Sequence, residues 1–146
     1  MSDLAVAIRA LGEELAANET DRSSAVFDVA VVGTPREVHP VLCDEAYRIV
    51  SEALRNAFRH ARAQHIEVEI RYDEKQFGVR VRDDGKGIDA KFLGGDGREG
   101  HYGLQGMRER AKLIGGELTI LSELDSGTEI DLSIPAATAY VSTAPL

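Results

Sequence analysis

Apolar residues recur at helical spacing along the first stretch of the chain. Leu4, Ile8, Leu11 and Leu15 share one side of residues 4–17, with Glu13 and Glu14 on the other. The polar run from Asn18 to Ser24 breaks this pattern and reads as a linker. From Val26 to Val32 the chain is β-branched around Asp28, which predicts a strand ended by Gly33-Thr34-Pro35. A broad apolar stripe through Leu42, Ala46, Ile49, Val50, Ala53, Leu54, Ala57 and Ala61 then predicts a long helix over residues 41–63.

The period next changes from helical to two. Ile66, Val68 and Ile70 alternate with Glu67, Glu69 and Arg71, and Phe77, Val79 and Val81 alternate with Gly78, Arg80 and Arg82. The turn Tyr72-Asp73-Glu74-Lys75 joins the two runs as a hairpin. Seven glycines between Gly85 and Gly103 exclude a regular element there. A helix from Leu104 to Leu113 is stopped by Gly115-Gly116. Strands follow over Glu117–Leu121 and Thr128–Ile134, around an Asp125-Ser126-Gly127 turn. Ala136 to Leu146 carries no periodicity and is expected to be a frayed, disordered tail. This order predicts an α+β fold, a two-layer α/β sandwich with helices on one face of a mixed, mainly antiparallel sheet.

At 146 residues, one domain is the natural division. A net charge of -8 argues against a nucleic-acid-binding face, which needs clustered Lys and Arg. It does not argue against a nucleotide, whose phosphates are met by local donors and a metal. The one cysteine, Cys43, allows no internal disulfide and fits a small core residue in a reducing compartment. No run approaches the ~20 apolar residues that span a bilayer, so this chain is expected to make no membrane contact. Met1-Ser2-Asp3-Leu4 does not open like a secretory signal.

Three polar groupings carry candidate chemistry. Glu52, Asn56, Arg59 and His60 lie four, seven and eight residues apart on the long predicted helix and form one column. A carboxylate, an amide and two cationic groups suit a metal–triphosphate, with Asn56 as a neutral Mg²⁺ ligand and Glu52 beside a water. Taken alone, the column fits a solvated helix face better. Asp83-Asp84-Gly85-Lys86-Gly87-Ile88 directly follows a strand, where a carboxylate and two glycines let backbone approach a flat ligand. Asp83 there can accept a hydrogen bond from an exocyclic amine such as that of adenine, although Asp-Gly is also common in plain turns. Gly103-Leu104-Gln105-Gly106-Met107 opens a helix whose free N–H groups suit phosphate. Gly106 inside that first turn costs stability relative to alanine and calls for a reason. No Walker-type Gly-Lys-Ser/Thr is present.

The ordered combination is what is specific: Glu52-x-x-x-Asn56, Asp83-x-Gly85-x-Gly87, Gly103-x-x-Gly106, and Gly127-Thr128 in a final hairpin. It resembles the superfamily of gyrase, chaperone, MutL and histidine-kinase ATPases, with its Bergerat ATP-binding fold. Asn56-Ala57-Phe58-Arg59-His60-Ala61 and Gly103-Leu104-Gln105-Gly106-Met107-Arg108-Glu109-Arg110-Ala111 resemble the nitrate-sensor and lipid-fluidity-sensor branch of histidine kinases. The resemblance covers about Val41 to Pro135.

It implies ATP and Mg²⁺ as cofactors. Asn56 would hold the metal; Asp83 would bind the adenine amine, with Thr128 helping through water; Gly85, Gly87 and Ile88 would line the base pocket. Arg59 and His60 would touch phosphates or base. Gly103, Leu104, Gly106 and Met107 would close on the phosphates. Residues from Phe92 to Tyr102 would form a mobile lid, with Tyr102 against the nucleotide, and Glu52 is the candidate catalytic carboxylate. The implied domain plan is a residual linker helix and linker over 1–24, the catalytic domain over 25–135 and a tail over 136–146.

None of His39, His60, His65 or His101 has the setting of a phosphoacceptor. The acceptor is therefore expected on a dimerisation domain absent from this chain, with a response regulator as indirect partner and a cytoplasmic location. A Ser/Thr kinase that inhibits a sigma factor and a non-catalytic nucleotide-sensing domain share the fold. The Arg59-His60-Ala61 and Met107-Arg108-Glu109-Arg110 strings favour the histidine-kinase module.

Overall fold

The computed structural model describes residues 4–18, 25–60, 62–89 and 103–142. Along the chain these form α1 (Leu4–Ala17), β1 (Val26–Val32), α2 (Pro40–His60), β2 (His65–Tyr72), β3 (Gln76–Asp83), α3 (Leu104–Leu113), β4 (Glu117–Glu123), β5 (Gly127–Pro135) and α4 (Ala136–Ala139). The strands make one five-stranded sheet in the order β1-β2-β3-β5-β4. β1 runs parallel to β2, because the crossover helix α2 lies between them. Every other pair is antiparallel, so the sheet is mixed and mainly antiparallel.

Period-two alternation sorts the sheet into two faces. Ile66, Val68 and Ile70 of β2, Phe77, Val79 and Val81 of β3, and Ile130, Leu132 and Ile134 of β5 are all buried. They meet the apolar stripe of α2 (Ala46, Ile49, Val50, Ala53, Leu54 and Ala57) and Leu104, Met107 and Ala111 of α3 in one core. The result is the two-layer arrangement that the pattern predicts.

The opposite face carries a lattice of charges. Arg82 donates to Glu67 at 2.6 Å, Arg71 to Glu69 at 2.7 Å and Arg80 to Glu69 at 3.2 Å. Such solvent-facing pairs contribute little each, and their main effect is to keep this face polar. Asp131 is the exception among them. Partial burial, then a hydrogen bond and the charge shared with Glu129, push its carboxyl up to about 6. A raised carboxyl favours folding only while protonated, so this contribution fades as pH rises from about 4 to about 6 and is gone at neutrality. Asp131→Asn is expected to match the wild type near pH 4 and to be more stable at pH 8. After allowance for screening by water, the gain is on the order of 1 kcal/mol. Thermal melts at the two pH values check this; an equal gain at both would show that titration is not its source.

Two ends of the chain join the fold more closely than their composition predicts. α1 packs on the rest of the fold, with Leu4, Ile8 and Leu11 buried in the common core. Gly12 lets α1 approach β1, because a Cβ there would come within 2.1 Å of the Phe27 ring. Phe27 in turn packs on Phe58 of α2, with ring centroids 5.9 Å apart.

At the other end, residues 136–142 differ from the frayed tail expected of them. α4 leads to Tyr140, which is buried. The Tyr140 hydroxyl donates to the backbone oxygen of Asp73 at 2.9 Å and accepts from the Asp73 N–H at 3.0 Å. Arg36 lies 4.0 Å over the Tyr140 ring. One aromatic ring with a polar tip ties the β2–β3 turn to the segment before α2, and a periodicity search has no means of seeing a single anchor.

Candidate functional site

The inward-facing columns of three strands end at the same edge of the sheet, and each ends in a polar residue. On β3, Phe77, Val79 and Val81 are followed by Asp83; on β5, Ile134, Leu132 and Ile130 are followed by Thr128; on β4, Leu118 and Ile120 are followed by Ser122. The register pairs Asp83 with Thr128, and Thr128 with Ser122, so the three form one cross-strand row. Because period two assigns them to the helix-facing side, Asp83 and Thr128 lie beneath α2, with Ser122 next to Thr128.

Asp83 is 8% exposed, and it and Ser51 are the buried polar or charged residues among those described. Burial pushes its carboxyl above the ordinary value, while the N–H groups of Gly85 and Thr128 pull the other way. The Gly85 N–H donates to Asp83 Oδ1 at 2.8 Å. These donors fix the orientation of the carboxylate and leave it acceptor capacity toward the cleft.

The cleft itself is tight, with a cavity volume of about 20 Å³. α2 contributes Ala53, Asn56, Ala57 and His60, the sheet Val81, Asp83, Thr128 and Ile130, and the loop after β3 Gly87 and Ile88. Small alanines form one wall and branched aliphatics the other. Asp83 and Thr128 supply polar groups between them, which is the usual make-up of a ligand pocket.

Six of the residues expected at the site therefore line one cleft: Asn56, His60, Asp83, Gly87, Ile88 and Thr128. Gly85 sits behind Asp83 and acts through its N–H. Arg59 is exposed on α2 and is not among the lining residues. Glu52 is half-buried one turn before Asn56, and a Cβ added to Gly103 would stand 3.0 Å from its Oε2. Gly103 is the N-cap of α3, in the left-handed region at φ 64°, with no side-chain cap bond. The first N–H groups of α3 thus begin beside Glu52. Leu104 and Met107 are buried in the core rather than lining the cleft. Around Gly106 a Cβ would meet nothing within 4 Å, so packing gives no reason for glycine there. Tyr102 and the stretch from Phe92 lie outside the described residues.

The loop glycines have a cause that spacing alone does not reveal. Gly87, at φ 76°, approaches β4 so closely that a Cβ would fall 2.1 Å from the Glu123 backbone oxygen. Gly127, at φ 93°, approaches β3 in the same way, 2.1 Å from the Asp83 oxygen. The Asp125 N–H donates to the Lys86 oxygen at 2.7 Å, and the Ile88 N–H to Ser122 Oγ at 2.7 Å. Two turns interlock backbone to backbone, which holds Asp83 and Ile88 in place from outside the cleft.

Asp84, to which the sequence reading gives no role, closes the other side. Its carboxylate accepts from the N–H groups of Gln64 and His65 at 2.8 and 2.9 Å and pairs with the His65 ring at 2.9 Å. Burial works against its ionisation, but these bonds more than offset it and hold the carboxyl below its ordinary value. Ser122 escapes the sequence reading too, because the expected strand ends at Leu121. Continuing the alternation from Leu118 and Ile120 by one more step reaches it.

Residues 43–138 match the family model described as histidine kinase-, DNA gyrase B- and HSP90-like ATPase, and the chain belongs to that family. Within it, the chain is the catalytic ATP-binding domain of sensor-histidine-kinase type. It is similar to the histidine-protein kinase/phosphatase DegS of Brevibacillus brevis, at 40% identity over 92 residues, covering 63% of this chain and 23% of that protein. It is 38% identical over 103 residues to the sensor histidine kinase YdfH of Bacillus subtilis (strain 168), covering 67% of this chain and 25% of the relative. Among solved structures it resembles the histidine kinase domain of the Erythrobacter litoralis EL346 blue-light activated histidine kinase. There the TM-score is 0.67 at 25% identity, over 92% of this chain and 61% of that one. The chain spans about a quarter of the length of the curated relatives it matches. Among the described residues, no helix is long and apolar enough to cross a membrane.

Proposed function

We propose that the cleft takes the adenine of Mg-ATP and that the chain passes the γ-phosphoryl group to a histidine on a separate dimerisation domain. The observation that carries this reading is Asp83, a buried carboxylate held by two backbone donors in a cleft walled by Ala53, Ala57, Val81, Ile88 and Ile130. Such a group meets a base through an exocyclic amine, and the cleft excludes the water that would compete for it. Thr128 adds a second polar contact beside it, and Gly85, Gly87 and Ile88 shape the surrounding wall.

Along α2, Asn56 meets the phosphates, and Arg59 and His60 meet phosphate or base. The outer end of the phosphates reaches Gly103, Leu104, Gly106 and Met107, where the α3 N–H groups and helix dipole favour negative charge. Among the described residues no group of three or more His, Cys, Asp or Glu can hold a metal. Asn56, a neutral oxygen donor on the cleft wall, fits an ion that draws most of its ligands from phosphate and water, as Mg²⁺ does. When bound, Mg²⁺ would neutralise charge on the phosphates. Glu52, beside Gly103, is the candidate for orienting a water or the incoming nucleophile. Phosphoryl transfer depends on holding the acceptor in line, so the dimerisation domain is the direct partner, a response regulator the indirect one, and the cytoplasm the setting.

Radiolabelled ATP tests this reading. The chain alone is expected to hydrolyse ATP slowly and to carry no acid-labile label. Fusion of a histidine-bearing dimerisation domain ahead of Leu4 is expected to yield phosphohistidine. Rapid hydrolysis without transfer, lost in Glu52→Ala, would make the chain a hydrolase instead. Asn56→Ala is expected to weaken ATP binding about tenfold or more in Mg²⁺, for the loss of one hydrogen-bonding or ligand contact to a charged group. In EDTA the loss should be much smaller. Calorimetry compares the two, and equal losses would make Asn56 a structural residue.

A further inference from the structure

The hydroxyl of Ser122 has three partners and one proton. It donates to the Gly127 carbonyl at 3.0 Å. It accepts from the Ile88 N–H at 2.7 Å. It lies 2.8 Å from Thr128 Oγ1, with either oxygen a possible donor in that pair. Simple counting resolves the ambiguity. The Gly127 carbonyl only accepts, so it needs the Ser122 proton; the Ile88 N–H only donates, so it occupies one lone pair. What Ser122 has left is a second lone pair, and Thr128 must be the donor to it. The reverse arrangement would leave the Gly127 oxygen without this bond, and Gly127 is buried.

We propose that Ser122, without touching the ligand, fixes the base preference of the site by drawing the Thr128 proton away from the cleft. Thr128 then shows the cleft lone pairs only. Asp83, when ionised, is also an acceptor only. Set together against the 6-substituent of a purine, two such acceptors favour an amine, which has a hydrogen for each, over a carbonyl oxygen, which has none. Ser122 is thus a positioning residue that sets 6-amino over 6-oxo purines. The inference rests on the proposed adenine reading of the cleft and adds to it the residue that gives Thr128 its direction.

Calorimetric binding of ATP and inosine triphosphate, the 6-oxo counterpart, to the 146-residue chain tests it. The wild type is expected to prefer ATP clearly. In Ser122→Ala the Thr128 hydroxyl is free to turn and donate into the cleft, and the ATP-to-inosine-triphosphate preference is expected to shrink about five- to tenfold, the value of one hydrogen bond. Ser122→Thr keeps the hydroxyl and is expected to keep the preference. Should the alanine variant not fold, Ser122→Cys gives the same comparison, since a thiol is nearly the same size and bonds weakly. Equal weakening of both nucleotides, with the preference intact, would overturn the inference and leave Ser122 a support of the hairpin. A wild type that binds both nucleotides equally would overturn the adenine reading itself, and this inference with it.

Discussion

Asp83→Asn is expected to cost about 1.5–3 kcal/mol of ATP binding, roughly 10- to 150-fold in affinity. The substitution replaces an anionic acceptor by an amide of the same shape in a slot where little water compensates. Folding stability should change little, because burial already disfavours the charge that is removed. That separation is the point of the measurement: calorimetry reports the lost affinity, and a denaturant melt reports whether the fold is intact. The same burial gives a pH dependence with a definite sign. Since burial holds the carboxyl above its ordinary value, affinity that needs its ionised form should fall on acidification at a higher pH than an exposed aspartate would give. An Asp83→Asn protein that binds ATP as tightly as the wild type would remove the central support of the functional reading.

The second large effect is expected at Gly127. Any side chain there must adopt φ 93° and place its Cβ 2.1 Å from the backbone oxygen of Asp83. Backbone strain costs about 1–3 kcal/mol, and forcing the two strands apart costs about as much again. Gly127→Ala is therefore expected to lose about 3 kcal/mol or more of folding stability. A displaced strand end would carry Asp83 with it, so nucleotide affinity of the folded fraction should fall as well. Urea unfolding with and without ATP separates the two losses. Stability within about 1 kcal/mol of the wild type, inside the usual range for a tolerated surface change, would show that the turns are not interlocked as described.

Much of this site can be reached by continuing simple periodicities. The stripe of α2 places Ala53 and Ala57 in the core and Asn56 and His60 on the cleft wall, as a 3.6-residue repeat requires. The alternation of β3 places Asp83 inward, and that of β5 does the same for Thr128. What stays hidden is whatever depends on two distant segments meeting. The need for Gly87 and Gly127 comes from backbone atoms of Glu123 and Asp83, which no local pattern announces. Asp84 acts on residues 19 and 20 positions earlier. The Tyr140 anchor reaches back 67 positions to Asp73. Ala136 to Ala139, four small residues with no stripe, gives no sign that the chain is held there.

The register of β3 against β5 also has a kinetic side. Asp83 and Thr128 become neighbours only when strands separated by a helix and another strand have paired in the right phase. A slip of one residue would turn Asp83 outward to solvent. Contacts between such distant segments carry a loop-closure cost that local hairpins do not, so they tend to form late in folding. Nucleotide that binds this row would bind the finished sheet and not its precursors. At about 100 times its dissociation constant it would add about 2.7 kcal/mol to the native state alone. ATP would then serve newly made chains as a folding ligand as well as a phosphate donor, and a cell short of ATP would hold less of the folded domain as well as running it more slowly.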